Sequence, residues 1–288
     1  MERALYLTKV KNFRRYNGRY GRLYFGQEFC QRLIPGRDEL KEAIEFACRY
    51  KLQFSLVTPY VTNTGLKKIV ALLEVLVERL PGCEVVFNDW GVLNILRRDF
   101  RTFVPVLGRL LTKQKRCPTL IKLLQRKNEA FIFPSPDGPL PHIFIQRKLP
   151  VDLDMYYKGS NVSTVGRIQR FLLPQGVRRI ELDNLGQGMQ AQLLKHKVSA
   201  SVYVPYVYIS TTFFCPTAGC STRLNSSLKI RPCRQECQRY HFILKNPIFP
   251  VCLYLKGNTY FYKNNKFHLS LWQGLGVDRI VVSPEIPL

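Results

Sequence analysis

The sequence predicts an α/β fold of the TIM-barrel-like (β/α) type, with a complete or an incomplete barrel. Two observations predict it. Short apolar runs typical of strands alternate with longer amphipathic runs typical of helices, and this alternation indicates βαβ units and a parallel sheet. The length of 288 residues also suits the class, since such barrels routinely form one domain of about 250 residues. We therefore expect a single barrel domain over residues 1–288.

Two successive βα units are predicted in the first third of the chain. Short strands are expected at 22–25, 53–59 and 84–87. The runs between them, 38–50 and 65–80, repeat apolar residues at the spacing of an amphipathic helix. Strands joined by single helices lie parallel, so their carboxyl ends are expected to meet at one end of the barrel.

The same pattern returns in the second half of the chain. Helices are predicted there over 164–173, 187–195 and 269–274. Strands are predicted over 179–182, 199–209 and 278–282. Residues 109–153 contain several prolines and one glycine, Gly138, and are predicted to be mostly loop. The number of elements suits a (β/α) barrel.

The expected compartment decides how the cysteines are interpreted. No apolar run reaches the roughly 20 residues that span a bilayer, and the amino terminus has no apolar signal-peptide core. We therefore expect a cytoplasmic protein in a reducing environment. Nine cysteines are then more typical of metal ligation than of a disulfide framework. Cys48 and Cys252 lie in apolar patterns and are expected in the core.

The net charge of +24 predicts attraction to polyanions such as RNA or an anionic lipid surface. One candidate segment interleaves arginines with aromatic rings: Phe13, Arg14, Arg15, Tyr16, Arg19, Tyr20 and Arg22. A second is more purely basic: Arg109, Lys113, Lys115, Arg116, Lys122, Arg126 and Lys127. Such patches stack bases and hold phosphates. They also suit an acidic partner, or a basic surface that has no dedicated ligand.

The strongest local signal for chemistry is a cysteine-rich segment at 213–240. Its cysteines are spaced Cys215-x4-Cys220-x12-Cys233-x3-Cys237. Thiolates clustered in this way bind soft metals. Taken alone, this spacing slightly favours zinc, which takes ligands in close pairs. A four-iron cluster is also open, because it accepts ligands from distant loops as well. Cys30 is a further candidate, since it follows a strand end and therefore faces the active end of a barrel.

Polar side chains at two strand ends are candidate catalytic residues. Asn88 and Asp89 end the strand at 84–87, and Glu181 and Asp183 lie in and after the strand at 179–182. At the mouth of a barrel such groups reach a substrate. The alternative is a structural one, in which a residue such as Asp89 caps the following helix by accepting backbone N–H groups.

Three segments of the chain also carry a family resemblance. They are LYFGQEFCQR around Cys30, QFSLVTPYV at the next strand, and EVVFNDWGVLNIL around Asn88. With the late pair Cys233 and Cys237, they resemble the UbiU/UbiV group of the collagenase-like peptidase superfamily, and most closely its UbiV side. The resemblance implies a TIM-barrel-like fold with a 4Fe-4S cluster. The ligands it implies are Cys30, Cys215, Cys233 and Cys237, with Cys220 as the alternative to Cys215.

The resemblance also implies a function. It predicts a subunit of an oxygen-independent hydroxylase that acts on ubiquinone precursors together with a UbiU-like partner subunit. An RNA-base hydroxylase with the same cluster is the alternative within the superfamily, and a zinc-stapled binding protein without catalysis is the alternative outside it. Peptidase activity is disfavoured, because the sequence has no HExxH-type motif and no arrangement of its four histidines that is typical of a catalytic triad.

Overall fold

The computed structural model describes residues 1–159, 170–190, 193, 197–221, 223 and 231–288. The strands are β1 (Glu2–Leu7), β2 (Arg22–Gly26), β3 (Gln53–Val57), β4 (Glu84–Phe87), β5 (Val104–Leu107), β6 (Glu129–Phe133), β7 (His142–Gln146), β8 (Arg179–Asp183), β9 (Ser199–Val204), β10 (Tyr206–Thr211), β11 (Phe242–Leu244), β12 (Leu253–Lys256), β13 (Thr259–Lys263) and β14 (Val277–Val282). The helices are α1 (Arg37–Arg49), α2 (Asn63–Arg79), α3 (Trp90–Arg98), α4 (Arg109–Thr112), α5 (Thr119–Leu124), α6 (Val151–Lys158) and α7 (Leu269–Gly274).

Eight parallel strands close into a barrel, which confirms the predicted fold class. Their order around the barrel is β1, β2, β3, β4, β5, β8, β9 and β14. The barrel closes where β14 pairs in parallel with β1, with Glu2 opposite Arg279. All strands run in the same direction, so their carboxyl ends form one mouth.

Two barrel strands were not predicted from the sequence. β1 follows directly on the first residue, and β5 carries Pro105 opposite Val85 of β4. A proline within a strand argues against a central strand, which hides β5 in the sequence. The predicted helix over 164–173 lies mostly outside the described residues. Of the helix predicted over 187–195, residues 187–190 are turn or irregular.

The predicted strand over 199–209 is two strands of different sheets. Pro205 separates β9, which belongs to the barrel, from β10. β10 begins an antiparallel sheet of order β10, β13, β12 and β11. A buried cluster joins this sheet to the mouth of the barrel, and it includes Phe29 after β2, Tyr208 of β10 and Phe261 of β13. The sheet therefore covers part of the mouth.

The core is divided between the barrel interior and the layer outside it. Tyr6, Tyr24 and Tyr203 are among the residues that fill the interior. The outer layer contains the apolar faces of α1 and α2. Cys48 and Cys252 are both exposed, so their expected place in the core is wrong. Cys48 lies at the edge of the buried apolar face of α1 and is not covered by the core.

The segment 109–153 is more ordered than predicted. It contains α4, α5, a separate two-stranded sheet of β6 and β7, and the start of α6. Four of the prolines and the glycine lie in the turn at 134–141 between the two strands, so the flanking residues are free to pair. No helix among the described residues is long and apolar enough to cross a membrane.

Candidate metal centre and barrel-mouth cavity

Cysteines from two distant parts of the chain line one cavity beside the mouth of the barrel. Cys30 lies in the loop after β2, and Cys215 lies in the loop after β10. Cys30, Cys215 and Cys233 line one small cavity. Cys237 lies in the short 3₁₀ helix Glu236–Gln238, and its ionisation raises the pKa of Cys30. The loop after a barrel strand and the cysteine-rich segment thus form one candidate site.

Burial determines the protonation of these thiols. Burial, together with the smaller effect of the nearby Cys237, Cys215 and Cys233, raises the pKa of Cys30 to about 11. Burial also raises the pKa of Cys215 and of Cys237. The buried thiols are therefore protonated at neutral pH in the metal-free protein. Binding of a metal would have to displace these protons, because thiolates are the ligands.

Cys220 lies apart from this cavity. Its thiol donates to the carbonyl oxygen of Pro216 at 3.5 Å, and it lines a different cavity together with Arg231 and Arg234. Across the described part of the chain, no three His, Cys, Asp or Glu side chains form a group that could hold a single metal ion. Of the two alternatives for the third late cysteine, Cys215 is the one that shares a cavity with Cys30.

One amide side chain ties together the segments that carry the early and late cysteines. Asn258 Nδ2 donates to the carbonyl oxygen of Phe29 at 2.8 Å and to that of Thr212 at 2.7 Å. Phe29 immediately precedes Cys30 in the loop after β2, and Thr212 lies shortly before Cys215 in the loop after β10. Asn258 was missed in the sequence, although Gly257-Asn258 between two β-rich runs is a hairpin signal. Its side chain fixes the relative position of the two loops.

A larger cavity of about 500 Å³ opens at the barrel mouth next to the cysteines. Its lining includes Asn88, Gln114, Arg116 and Tyr208. Tyr60 and Phe213 line both cavities, and their rings meet edge to face with centroids 4.5 Å apart. This aromatic pair is the shared wall between the cysteine cavity and the barrel mouth.

Asn88 reaches the mouth cavity, but its polar atoms are occupied. Its Nδ2 donates to the carbonyl oxygen of Thr58 at 2.9 Å, and its Oδ1 accepts from the backbone N–H of Leu110 at 3.0 Å. A Cβ on Gly108 would lie 2.2 Å from that Oδ1, so only glycine fits there. The Asn88 side chain therefore joins the carboxyl ends of β3, β4 and β5.

Asp89 has the structural role that was weighed against catalysis. Its Oδ1 accepts from Gly91 N–H at 2.7 Å, which caps α3. Its Oδ2 accepts from Val61 N–H at 3.1 Å. Asp89 does not line the mouth cavity, and both of its oxygens serve backbone groups.

Asp183 belongs to a buried cluster of two carboxylates and two arginines. Its oxygens accept from Arg109 Nη1 at 2.8 Å and from Arg116 Nε at 2.7 Å. Arg109 also forms a bidentate pair with Glu28. Burial raises the pKa of Glu28, although the charge of Arg109 lowers it. Asp183 is fully paired and buried, so it is poorly placed to act as a base.

Two arginines of this cluster were predicted to belong to the polyanion-binding surface, and for them that prediction is wrong. Arg109 is completely buried and Arg116 nearly so, and their charges are used inside the protein. A basic residue within a sequence run is expected to be exposed, and the buried acids Glu28 and Asp183 that pair with these arginines are distant in sequence. The sequence pattern therefore could not reveal the pairing.

Glu181 lies in the interior of the barrel and does not line the mouth cavity. The hydroxyl of Tyr24 donates to its Oε1 at 3.1 Å, whereas its Oε2 has no hydrogen-bond partner among the described residues. Burial raises the pKa of Glu181 to about 7, although Arg279 and Arg179 lower it. Glu181 is therefore a buried titratable group rather than a residue at the mouth.

The aromatic residues of the amino-terminal basic segment are packing residues. Phe13 stacks on Phe46 with ring centroids 4.3 Å apart, and Tyr16 packs against Tyr50 at 4.7 Å. These rings are therefore not a free platform for stacking bases. Of the cations in this segment, Arg14, Arg15 and Arg19 are exposed, and Arg15 lies 3.4 Å from Glu285.

Comparisons with known proteins found no matching family model and no matching curated protein. Two solved structures are similar. The U32 peptidase Mk0906 is 10% identical, with a TM-score of 0.46 over 100% of this chain and 94% of that one. An immunomodulatory chitinase from Trichuris suis is 11% identical, with a TM-score of 0.33 over 97% and 91%. The fold assignment accordingly rests on the closed barrel itself.

Proposed function

We propose that this chain is an iron–sulfur protein, the cluster-bearing subunit of an oxygen-independent hydroxylase that acts on a quinone precursor with a UbiU-like partner subunit. One observation carries the proposal. Cys30 and cysteines from far later in the chain face a single small cavity that shares a wall with the barrel mouth. The resemblance of the segments around Cys30 and Asn88 to the UbiU/UbiV group supplies the reaction class.

The proposed ligands are Cys30, Cys215, Cys233 and Cys237. Four soft thiolates suit iron–sulfur ligation, and a bound cluster would supply electron transfer at this position. The protein's own residues have distinct tasks. Asn258 holds two of the ligand loops, and the Tyr60–Phe213 pair separates the cysteines from a substrate in the mouth cavity.

The distribution of the ligands favours a cluster over zinc. Structural zinc sites usually take their cysteines in two close pairs, and Cys233 and Cys237 supply one such pair. Cys30, however, comes from the loop after the second barrel strand, and a cluster accommodates a ligand from so distant a loop. Zinc in a non-catalytic binding protein is the competing proposal.

The metal is identified by anaerobic purification and elemental analysis. We expect a coloured protein with about four iron and four sulfide per chain. Cys233→Ala and Cys237→Ala should each abolish iron retention, and Cys215→Ala should lower it more than Cys220→Ala does. Cys48→Ala is the matched control, because Cys48 is exposed and does not line the cysteine cavity. Stoichiometric zinc in a colourless protein would contradict the cluster.

Asn258 offers a test that leaves every proposed ligand in place. Asn258→Ala removes the two hydrogen bonds to the ligand loops, so we expect iron content to fall to a fraction of wild type while the protein still folds. Loss of buried hydrogen bonds costs about 1–3 kcal/mol in the free energy of unfolding. Full iron content with the same stability loss would show that Asn258 serves the fold alone.

RNA is the alternative substrate, and the exposed Arg14, Arg15 and Arg19 are the observation that favours it. If this surface serves RNA, affinity should fall steeply with salt, and the triple alanine variant should have a shallower slope. The deciding measurement is the product. A deletion strain grown without oxygen should lose a quinone and keep its modified nucleosides. The reverse result would establish the RNA-base hydroxylase instead.

A further inference from the structure

A β-hairpin in the second half of the chain exposes apolar side chains on both of its faces. In the pairing of β6 with β7, Phe131 lies opposite Phe144 and Ile132 lies opposite Ile143. Side chains alternate between the two faces of a strand, so the phenylalanines share one face and the isoleucines the other. The exposed fractions of Ile132, Ile143 and Phe144 are 68%, 62% and 62%. Both faces are thus largely open to solvent in the part of the chain that the structure describes.

Such exposure is unfavourable in water. A separate two-stranded hairpin is at best marginally stable, and a contiguous apolar patch of this kind marks an interaction site. Leu140, in the turn between the strands, is 80% exposed, so the apolar surface continues toward the tip. The hairpin is therefore expected to function in contact with something that covers it.

Basic residues surround the base of the hairpin. Gln146 Nε2 donates to the carbonyl oxygen of Lys127 at 3.3 Å, and Lys148 N–H donates to Asn128 Oδ1 at 2.8 Å. The two segments that flank the hairpin therefore lie side by side. Their exposed cations are Arg126, Lys127, Arg147 and Lys148. Positive charge thus begins where the apolar surface ends.

We propose that this hairpin docks the protein on an anionic bilayer surface, with its apolar side chains in the headgroup region and its basal cations against the lipid anions. A lipid interface can cover both faces of the hairpin at once, whereas a flat protein surface covers one. A second copy is a poor occupant, because two chains of net charge +24 repel each other. The open strand edges need polar partners, which keeps the hairpin out of the hydrocarbon core.

Vesicle co-sedimentation tests this proposal on the full-length protein. The vesicles are phosphatidylcholine alone, or phosphatidylcholine mixed with phosphatidylserine. We expect binding only to the mixed vesicles, and weaker binding as salt increases. The double variant Ile132→Ser with Ile143→Ser should bind at least about tenfold more weakly. Arg126→Gln with Lys127→Gln should lose about fivefold for each charge removed.

Matched controls separate the hairpin from general surface properties. Leu269→Ser with Leu271→Ser removes two exposed apolar side chains from α7, and Lys67→Gln with Lys68→Gln removes two exposed charges from α2. Both controls should bind the mixed vesicles about as well as wild type. No wild-type binding, or equal losses in hairpin and control variants, would overturn the proposal. A hairpin variant that changes the sedimentation mass but not vesicle binding would also overturn it, and would identify the hairpin as a protein contact.

Discussion

The ion-pair networks at the two ends of the barrel differ in the direction in which the pKa of a buried glutamate is shifted. At the amino end, Glu84 is paired with Arg279 at 2.7 Å and with Arg22 at 3.2 Å, and Glu2 is paired with both arginines. Burial alone would raise the pKa of Glu84, but these arginines outweigh it and the pKa is lowered. At the carboxyl end, Glu28 keeps a raised pKa despite its arginine.

The difference follows from what lies around each network. Glu2 is 31% exposed, so water assists the amino-end charges, whereas Arg109, Glu28 and Asp183 are fully buried beneath the mouth. The mouth also has the cavity and the thiols. In (β/α) barrels the amino end contributes stability and the carboxyl end carries chemistry. Here the charges at the carboxyl end are more deeply buried than those at the amino end, so their desolvation costs more free energy.

The largest expected effect comes from breaking the carboxyl-end network. Arg109→Ala leaves two buried carboxylates without their shared partner, so we expect a loss of about 3–5 kcal/mol in the free energy of unfolding. Arg279→Ala, at the amino end, should cost less, because Arg22 still pairs with both Glu84 and Glu2. Urea denaturation measures both.

Arg109→Lys is a second variant that keeps the prediction testable if Arg109→Ala does not fold. It keeps the positive charge but loses the bidentate fork, so its stability should fall between that of wild type and Arg109→Ala. Equal losses for Arg109→Ala and Arg279→Ala would refute the contrast between the two ends.

A second prediction uses pH to separate Glu181, inside the barrel, from Glu84 at the amino end. The pKa of Glu181 is raised from 4.5 to about 7, so the folded state binds more protons between these values. Stability should therefore fall as pH rises through this window, by at most about 3 kcal/mol. The lowered pKa of Glu84 has the opposite sign, and its contribution is lost only as pH falls below the ordinary value.

Glu181→Gln isolates the first effect. It keeps an oxygen that can accept the Tyr24 hydrogen bond and has no charge to bury. We expect the variant to be more stable than wild type at about pH 8 and similar to it near the unfolded pKa of glutamate. Chemical denaturation across this range measures the difference. A wild-type pH profile that persists in the variant would show that Glu181 is not its source.

The barrel could be predicted from the sequence because its signals are local. The apolar residues on one face of α1 and of α2, and the apolar strands that alternate with these helices, can be recognised within a few consecutive residues. β5 could not be predicted, because a proline such as Pro105 argues against a central strand. The cysteine-rich segment was also visible, but its approach to Cys30 depends on Asn258, whose two acceptors, at residues 29 and 212, no local pattern connects.

The polar residues at strand ends show the limit of such reasoning. The sequence placed Asn88, Asp89, Glu181 and Asp183 near the ends of strands. The structure agrees for Asn88 and Asp89 after β4 and for Asp183 at the end of β8, whereas Glu181 is the central residue of β8. What each side chain does depends on partners far away in the chain, such as Arg109 for Asp183. A carboxylate at a strand end looks the same in sequence whether it meets a substrate, a helix or an arginine.

The smallest expected effect concerns Asp89 and separates a cap from a catalyst. Asp89→Ala removes acceptors for Gly91 N–H and Val61 N–H, so we expect a loss of about 1 kcal/mol in the free energy of unfolding. Asp89→Asn keeps the capping oxygen and should recover most of that loss. Because neither oxygen of Asp89 faces the mouth cavity, both variants should retain the wild-type metal content and, once a substrate is known, the wild-type pH profile of the reaction. A loss of turnover in Asp89→Asn at unchanged stability would return Asp89 to the list of catalytic candidates and weaken the distinction between residues that build the mouth and residues that act in it.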